Sequence, residues 1–273
     1  MATVRRVPLV GLTYFSALLT KVTEMTDIWH TYGCCDYFFD IYDDSPSVKD
    51  SEGLWRASVA PVELSSVELT TPLHKNMTTF WPSNKNKFHL ETLIYRQVCR
   101  QSLEGQRYPT MLSQLCTDIN EWQCVKVHSG AEQCMDHLQT TLKEADLHIL
   151  MHVLDCVRAG YSTCIVLSND TDVIIPLLYY VPMFRKEGLK ELWVRAGRGN
   201  TTRFVPLHIL HDRQGNDLCM VLPALHSLTG CDITSKIGTK KAALQSNRKS
   251  TFKDLVRRLK LALSRFSMQN VTW

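Results

Sequence analysis

The sequence predicts an α/β fold, in which buried strands alternate with helices along the chain. Four short apolar runs, rich in β-branched and aromatic residues and each followed by polar sequence, have the length and composition of buried strands. They lie at residues 36–42, 124–128, 162–168 and 191–195. Residues 140–159 predict a helix, because apolar side chains recur at helical spacing and Gly160 follows as a stop signal. Buried strands separated by helices are typical of a mainly parallel sheet flanked by helices.

Two segments depart from this alternation. Residues 45–86 contain four prolines and many Ser, Thr and Asn without sustained periodicity, which predicts a flexible arch or insert. Residues 245–273 predict a basic amphipathic helix, because apolar side chains share one helical face there. We therefore expect one domain at residues 1–244, followed by this C-terminal helix.

Composition places the chain among ordinary folded proteins. Its 273 residues are 44% hydrophobic and 21% charged, and its apolar runs fall short of the roughly 18–20 residues that a membrane-spanning helix needs. Ten cysteines without a C-x-x-C pair argue against a disulfide framework or a zinc ribbon. No secretory leader pattern is recognised near Met1. We expect an intracellular protein, nuclear or cytoplasmic, that does not enter membranes.

Charge is distributed unevenly along the chain. Residues 184–266 contain 17 Lys and Arg against 6 Asp and Glu, a net charge of +11, although the whole chain carries only +4. Such a region attracts polyanions, because Lys and Arg that neutralise phosphates supply most of the sequence-independent affinity for nucleic acids. A solvated basic face without a partner is the alternative interpretation.

Two aspartates, Asp170 and Asp172, follow the apolar run that begins at Cys164. Carboxylates so close to the end of a buried strand repel one another and lose solvation, a cost that a divalent cation such as Mg²⁺ offsets. They therefore predict a metal site. The alternative is a helix N-cap, because an aspartate after a strand often caps the helix that follows.

Further acidic residues lie in three other places. Glu144 and Asp146 stand near the start of the helix predicted at 140–159, where acids also complement the helix dipole. Asp232 ends the sequence Leu-Thr-Gly-Cys-Asp, and Asp40 ends the run Tyr-Phe-Phe-Asp. Each pattern alone is ordinary, so their order along the chain carries the information.

That order resembles flap endonucleases, of the PIN-like nuclease superfamily, and their asteroid-type and transposon-associated relatives. The motifs are Glu-Ala-Asp at 144–146, Ser-Asn-Asp-Thr-Asp at 168–172, Gly-Cys-Asp at 230–232 and Ile-Gly-Thr-Lys-Lys at 237–241. The resemblance covers residues 36–244 and implies a three-layer PIN-like fold with a mainly parallel central sheet. It also implies a structure-guided nuclease that hydrolyses phosphodiester bonds in DNA or RNA. Two Mg²⁺ or Mn²⁺ ions would be held by Glu144, Asp146, Asp170, Asp172 and Asp232, with Asp40 joining as a catalytic residue.

The same resemblance implies how nucleic acid binds. Residues 235–244 are similar to the helix-two-turns-helix element through which these enzymes hold duplex phosphates with backbone N–H groups and lysine charge. The residues concerned are Lys236, Gly238, Lys240 and Lys241. Arg195 and Arg198 lie beside two glycines and either add phosphate contacts or form an exposed basic turn.

One feature of the superfamily is missing from the sequence. Its members begin with a strand that ends in a metal-binding aspartate, and residues 1–33 offer no such strand. The chain therefore resembles an N-terminally shortened relative. A catalytically inactive PIN-like module, acting as a nucleic-acid- or protein-binding adaptor, is the alternative to an active nuclease.

Three other kinds of site are alternatives to a magnesium-dependent nuclease site. A zinc site would use Cys124, His128, Cys134 and His137, whose spacing is irregular for zinc. The Asp-Thr-Asp sequence at 170–172 is similar to the signature of haloacid-dehalogenase-type phosphatases, which normally follows an early strand. No sequence pattern links a cysteine and a histidine into a thiol-protease pair.

Overall fold

The computed structural model describes residues 4, 7–27, 33–42, 60–103, 109–116, 122–140, 145–197 and 199–229. The chain divides into two compact units, Met1–His152 and Val153–Trp273. Outside the described residues lie Glu144, Arg198, Asp232, Lys236, Gly238, Lys240 and Lys241, and with them the segments 235–244 and 245–273. The roles expected for these residues stay predictions.

The N-terminal unit combines helices with one four-stranded sheet. Along the chain its elements are α1 (Phe15–Asp27), β1 (Cys35–Phe38), α2 (Asn84–Leu103), β2 (Thr110–Cys116), β3 (Trp122–His128) and β4 (Ala131–Cys134). A short 3₁₀ helix, Asp136–Leu138, follows. Helix α3 (Ala145–Arg158) then begins in this unit and continues into the second.

Strands β1 to β4 form a mixed sheet in that order. β1 is parallel to β2, with Asp36 opposite Met111, whereas β2–β3 and β3–β4 are antiparallel. Ser129 and Gly130 connect β3 to β4 and both have positive φ, 51° and 76°. This is the backbone of the type I′ turn that closes two-residue hairpins. A connection this short permits only antiparallel pairing.

Apolar side chains of α1, α2 and one face of the sheet form the core of the N-terminal unit. Its fully buried members include Phe15, Leu18, Leu90 and Leu112. Residues 60–83, part of the segment predicted as an arch, contain no helix or strand beyond a bridge between Pro72 and Tyr14. They nevertheless add Val67, Met77 and Phe80 to the same core.

The second unit begins within α3 and contains a three-stranded sheet with helices. Its further elements are β5 (Thr163–Leu167), α4 (Thr171–Lys186), β6 (Glu191–Ala196), β7 (Arg203–Pro206), α5 (Leu207–Gln214) and α6 (Asn216–Thr229). β5 and β6 are parallel and are joined through α4, as a parallel pair requires a long crossover. β7 returns antiparallel to β6. The fully buried side chains include Leu177, Val181, Phe184, Leu192 and Leu207.

The predicted α/β class is confirmed, but the predicted mainly parallel sheet is wrong. Both sheets are mixed, because a tight hairpin follows β3 and a short connection follows β6. The runs predicted at 124–128, 162–168 and 191–195 correspond to β3, β5 and β6, whereas the strand predicted at 36–42 already ends at Phe38. Among the helices that the structure describes, none is long and apolar enough to cross a membrane.

Candidate functional site

The aspartate pair that the sequence singles out lies where β5 leads into α4: Asp170 directly precedes the helix, and Asp172 is in its first turn. Ser168, buried at the end of this strand, accepts a hydrogen bond from the backbone N–H of Asp170 through Oγ (3.0 Å). Asp170 Oδ1 accepts one from the N–H of Asp172 (3.0 Å), and its own backbone is extended, with φ −87° and ψ 133°. This is the geometry of a helix N-cap. Asp170 therefore caps α4, whatever else it binds.

The second aspartate lies against a histidine that the sequence did not single out. His226, on α6, places Nε2 2.6 Å from Asp172 Oδ1. The side chains are 10% and 24% exposed, respectively. Because an ionised carboxylate only accepts hydrogen bonds, Nε2 carries the proton in this pair. The contact fixes the first turn of α4 against α6.

A second contact fixes this loop to the neighbouring strand. The backbone N–H of Gly197, directly after β6, donates to Asn169 Oδ1 (2.6 Å). Gly197 has a φ of +90°, and a Cβ there would lie 2.1 Å from the carbonyl oxygen of Thr201. Only glycine therefore fits this turn. The carboxyl ends of the two parallel strands are joined at the aspartate loop.

Arg195 is the one predicted nucleic-acid-binding residue within the described ranges. It lies near the end of β6, opposite Leu167 of β5 and Phe204 of β7, and is half-buried. Its position in the sheet is thus close to the β5–α4 connection, at which Asp170 and Asp172 lie.

In the N-terminal unit, Asp40 lies at the start of helix α3. Its Oδ1 accepts a hydrogen bond from the backbone N–H of Ala145 (3.1 Å), the first residue of the helix, and its Oδ2 accepts a longer one from Tyr42 Oη (3.4 Å). Asp146 is in the first turn of the same helix and is half-buried. Asp40 therefore stabilises the helix terminus that carries one of the predicted ligands.

The described residues thus bring the candidate acids together in two places. Asp170 and Asp172 lie together at the N-terminus of α4 in the second unit, and Asp40 meets the helix of Asp146 in the first. Within the described ranges, no three or more His, Cys, Asp or Glu side chains are grouped so as to hold a metal ion. The four zinc candidates all lie within these ranges and form no such group: Cys124 is buried, whereas Cys134 is exposed on the edge strand.

A different set of reactive side chains is gathered in the N-terminal unit. His152, on α3, places Nδ1 2.7 Å from Asp36 Oδ2 and Nε2 3.9 Å from Cys124 Sγ. The ring of Phe38 packs edge-on against the imidazole, with centroids 4.8 Å apart. Cys34 Sγ lies 3.1 Å from Asp36 Oδ1. Carboxylate, imidazole and thiol thus form a continuous chain that sequence reasoning missed.

The neighbouring thiol of Cys35 differs from Cys124 in its surroundings. Burial, together with the charge of Asp36 and the thiol of Cys34, raises the pKa of Cys35 to about 12. It therefore stays protonated and inert at neutral pH. A local sequence pattern would not have separated the two cysteines, because the imidazole that distinguishes Cys124 comes from a helix 28 positions away.

Comparison with known proteins adds no relative to these observations: no family model, no curated protein and no solved structure matches the chain.

Proposed function

We propose that this chain is a divalent-metal-dependent nuclease of the PIN-like type, which hydrolyses phosphodiester bonds in DNA or RNA. One observation supports the proposal above all. Asp170 lies in the loop at the carboxyl end of β5, and Asp172 lies in the first turn of α4, which follows directly. Asn169 of this loop is hydrogen-bonded to Gly197 at the end of the parallel strand β6. In open α/β sheets, ligands bind outside the carboxyl ends of such strands.

The donor set of this loop fits a divalent cation. The hydrogen bonds within the fold use Oδ1 of Asp170 and Oδ1 of Asp172, and no protein group in the described ranges bonds to either Oδ2. Mg²⁺ prefers oxygen ligands of this kind. Bound metal would lower the pKa of an attacking water and stabilise the charge on the scissile phosphate.

The remaining ligands of the proposed site come from the resemblance to flap endonucleases. Glu144, Asp146 and Asp232 would complete the coordination of two Mg²⁺ or Mn²⁺ ions, and Asp40 would act beside them. Phosphates would be held by the basic residues Arg195, Arg198, Lys236, Lys240 and Lys241, with Gly238. These roles agree with the net charge of +11 on residues 184–266.

A catalytically inactive adaptor is the second candidate, and a specific observation favours it. Three of the four described acids of the proposed site have a structural role inside the fold: Asp170 caps α4, Asp172 binds His226, and Asp40 caps α3. Residues with such roles remain useful after catalysis is lost. The adaptor would keep the basic surface and bind nucleic acid or protein without cleaving it.

Cleavage of labelled flap, nicked and single-stranded substrates in Mg²⁺ or Mn²⁺ tests the proposal. The most informative variant is Asp170→Asn, because asparagine caps helices as well as aspartate does and only the charge is lost. The double variant Asp170→Asn/Asp172→Asn removes both carboxylates. Glu63→Gln is the matched control, since Glu63 is an exposed acid outside both acidic groups.

We expect metal-dependent cleavage by the wild-type protein and Glu63→Gln, and its loss in Asp170→Asn and in the double variant. Absence of cleavage with every substrate, together with binding that weakens as salt rises, would favour the adaptor. Cleavage that survives the double variant would contradict the assignment of the site.

A further inference from the structure

The chain Asp36–His152–Cys124 has the parts of an activated nucleophile. An ionised carboxylate only accepts hydrogen bonds, so the 2.7 Å contact from Asp36 Oδ2 places the proton of His152 on Nδ1. In the neutral ring this leaves Nε2 as an acceptor, and Cys124 Sγ lies 3.9 Å from it. Nucleophile, base and an orienting third group in this order are the general signature of activated serine and cysteine residues.

The surroundings of the thiol limit what can reach it. Cys124 and His152 are each 1% exposed. Met111 and Leu138 form one buried cluster with Cys124, and Met151 packs against this cluster. At the other end of this series of side chains, Asp36 contacts Cys34, which is only partly buried. A peptide or nucleotide would not fit at the sulfur, whereas a molecule of two or three non-hydrogen atoms needs only a small local opening.

We propose that Cys124 is a peroxide-reactive thiol, activated by His152 as general base and with Asp36 as the positioning residue. The substrate class is a small hydroperoxide, with hydrogen peroxide as the simplest member. This inference is independent of the nuclease proposal.

The reaction balances without another reagent. His152 Nε2 accepts the thiol proton, and the sulfur attacks one peroxide oxygen while the O–O bond breaks. The departing hydroxide takes the proton back from His152 and leaves as water. Cys124 becomes a sulfenic acid, oxidised by two electrons, and the peroxide is reduced.

The same chain provides its own comparison cysteine. Cys219 is also fully buried, and burial alone raises its pKa. Sulfenic acid formed by hydrogen peroxide is trapped with dimedone and located by mass spectrometry over time. We expect oxidation of Cys124 to be at least about 10²-fold faster than that of Cys219, the lower end of what a positioned base supplies.

The variant His152→Asn distinguishes the role of His152 as a base from its structural role as a partner of Asp36. The amide N–H of asparagine can still donate to Asp36 in place of Nδ1, but no group replaces Nε2. We expect the oxidation rate at Cys124 to fall towards that of Cys219, and Asp36→Asn to lower it by a smaller factor. Amide hydrogen exchange along β3 reports local opening of the structure. Its rate should be the same in the variants as in the wild-type protein, whereas a variant that acted only by loosening the structure would raise it. Cumene hydroperoxide, which is bulky, should react more slowly than hydrogen peroxide.

Three results would overturn the inference. The first is oxidation of Cys124 no faster than that of Cys219 in the wild-type protein. This comparison needs no variant, so it holds even where a variant fails to fold. The second is an equal rate in the wild-type protein and His152→Asn. The third is equal reactivity towards small and bulky hydroperoxides, which would mean that the thiol reacts only after unfolding.

Discussion

Asp40 Oδ1 lies 3.1 Å from the backbone nitrogen of Ala145, a residue 105 positions further along the chain. The same stretch of chain also supplies Asp36, which binds His152 about two turns further along that helix. Two carboxylates from β1 and the residues directly after it thus hold α3 at two points. Asp40 therefore has a structural role as the cap of α3, and a metal-binding role would come in addition to it.

Replacement of Asp40 should distinguish these roles. Asp40→Ala removes the cap of α3 and should lower the free energy of unfolding by about 1 kcal/mol, whereas Asp40→Asn should change it by only a few tenths. Urea denaturation measures both. Tyr42→Phe is the control, because it removes the longer 3.4 Å hydrogen bond to the same carboxylate but leaves Asp40 in place. Equal destabilisation by alanine and asparagine would show that the negative charge itself, rather than the cap, stabilises the fold.

The parts of the fold that the sequence predicted are those encoded locally. β3, β5 and β6 are short apolar runs, and α3 has a clear helical period, so their own residues were sufficient. Whether a strand pairs parallel or antiparallel with its neighbour cannot be predicted from the residues of the strand itself. It depends on connections such as the Ser129–Gly130 turn, whose two positive φ angles force an antiparallel hairpin.

The candidate site divides in the same way. The doublet of Asp170 and Asp172 was visible because both residues follow one strand. His226 was not visible, since it meets Asp172 from 54 positions away along the chain. Contacts between distant segments require the tertiary structure, and this also explains why the link between Cys124 and His152 was missed.

Gly197 should tolerate no side chain, because two separate effects act there. Its φ of +90° costs any other residue about 1–2 kcal/mol, and a Cβ would lie 2.1 Å from the carbonyl oxygen of Thr201. Gly160 has a similar φ of +97° but nothing within 4 Å of its Cβ position. We expect Gly160→Ala to show the first cost alone, and Gly197→Ala to add about 1–3 kcal/mol from overpacking. Similar losses in urea denaturation would mean that the turn relaxes around the new methyl group.

The fully buried side chain of Asn86 should be a main anchor of the segment before α2. Its Oδ1 accepts from the N–H of Leu64 (2.9 Å), and its Nδ2 donates to the carbonyl oxygens of Val62 (2.7 Å) and Phe80 (3.1 Å). Asn86→Ala leaves these groups without their partner. A loss of at least about 2 kcal/mol in the free energy of unfolding is expected.

Lys85→Ala is the neighbouring control, because Lys85 is exposed and its replacement should change stability by no more than about 0.5 kcal/mol. Faster amide exchange at Leu64 in Asn86→Ala would locate the effect in the anchored segment. A loss as small as that of the control would show that water replaces the amide.

The ion pair between α4 and α5 should give a defined pH dependence. Arg185 donates to both oxygens of Asp212, at 2.6 and 2.8 Å. These hydrogen bonds, with the positive charge, lower the pKa of Asp212 from 3.8 to about 2. A carboxyl whose pKa is lower in the folded state stabilises the protein above its unfolded pKa. This stabilisation is lost as the pH falls from about 4 through about 2.

The magnitude of this effect is limited by solvent, since the side chain of Asp212 is 57% exposed. After screening, the bidentate pair should contribute less than about 1 kcal/mol. The difference in unfolding free energy between the wild-type protein and Asp212→Asn should be present at pH 6 and shrink in 1 M salt, at a Debye length of about 3 Å. It should fall between about pH 4 and pH 2 and approach zero only below pH 2. Taking the difference cancels the titration of all other groups.

Glu187→Gln, which breaks the longer contact with Arg158 (3.3 Å), is the matched control and should have a smaller effect. A difference that persists unchanged below pH 2 would mean that Asp212 acts through its neutral contacts, because most of its charge is lost there.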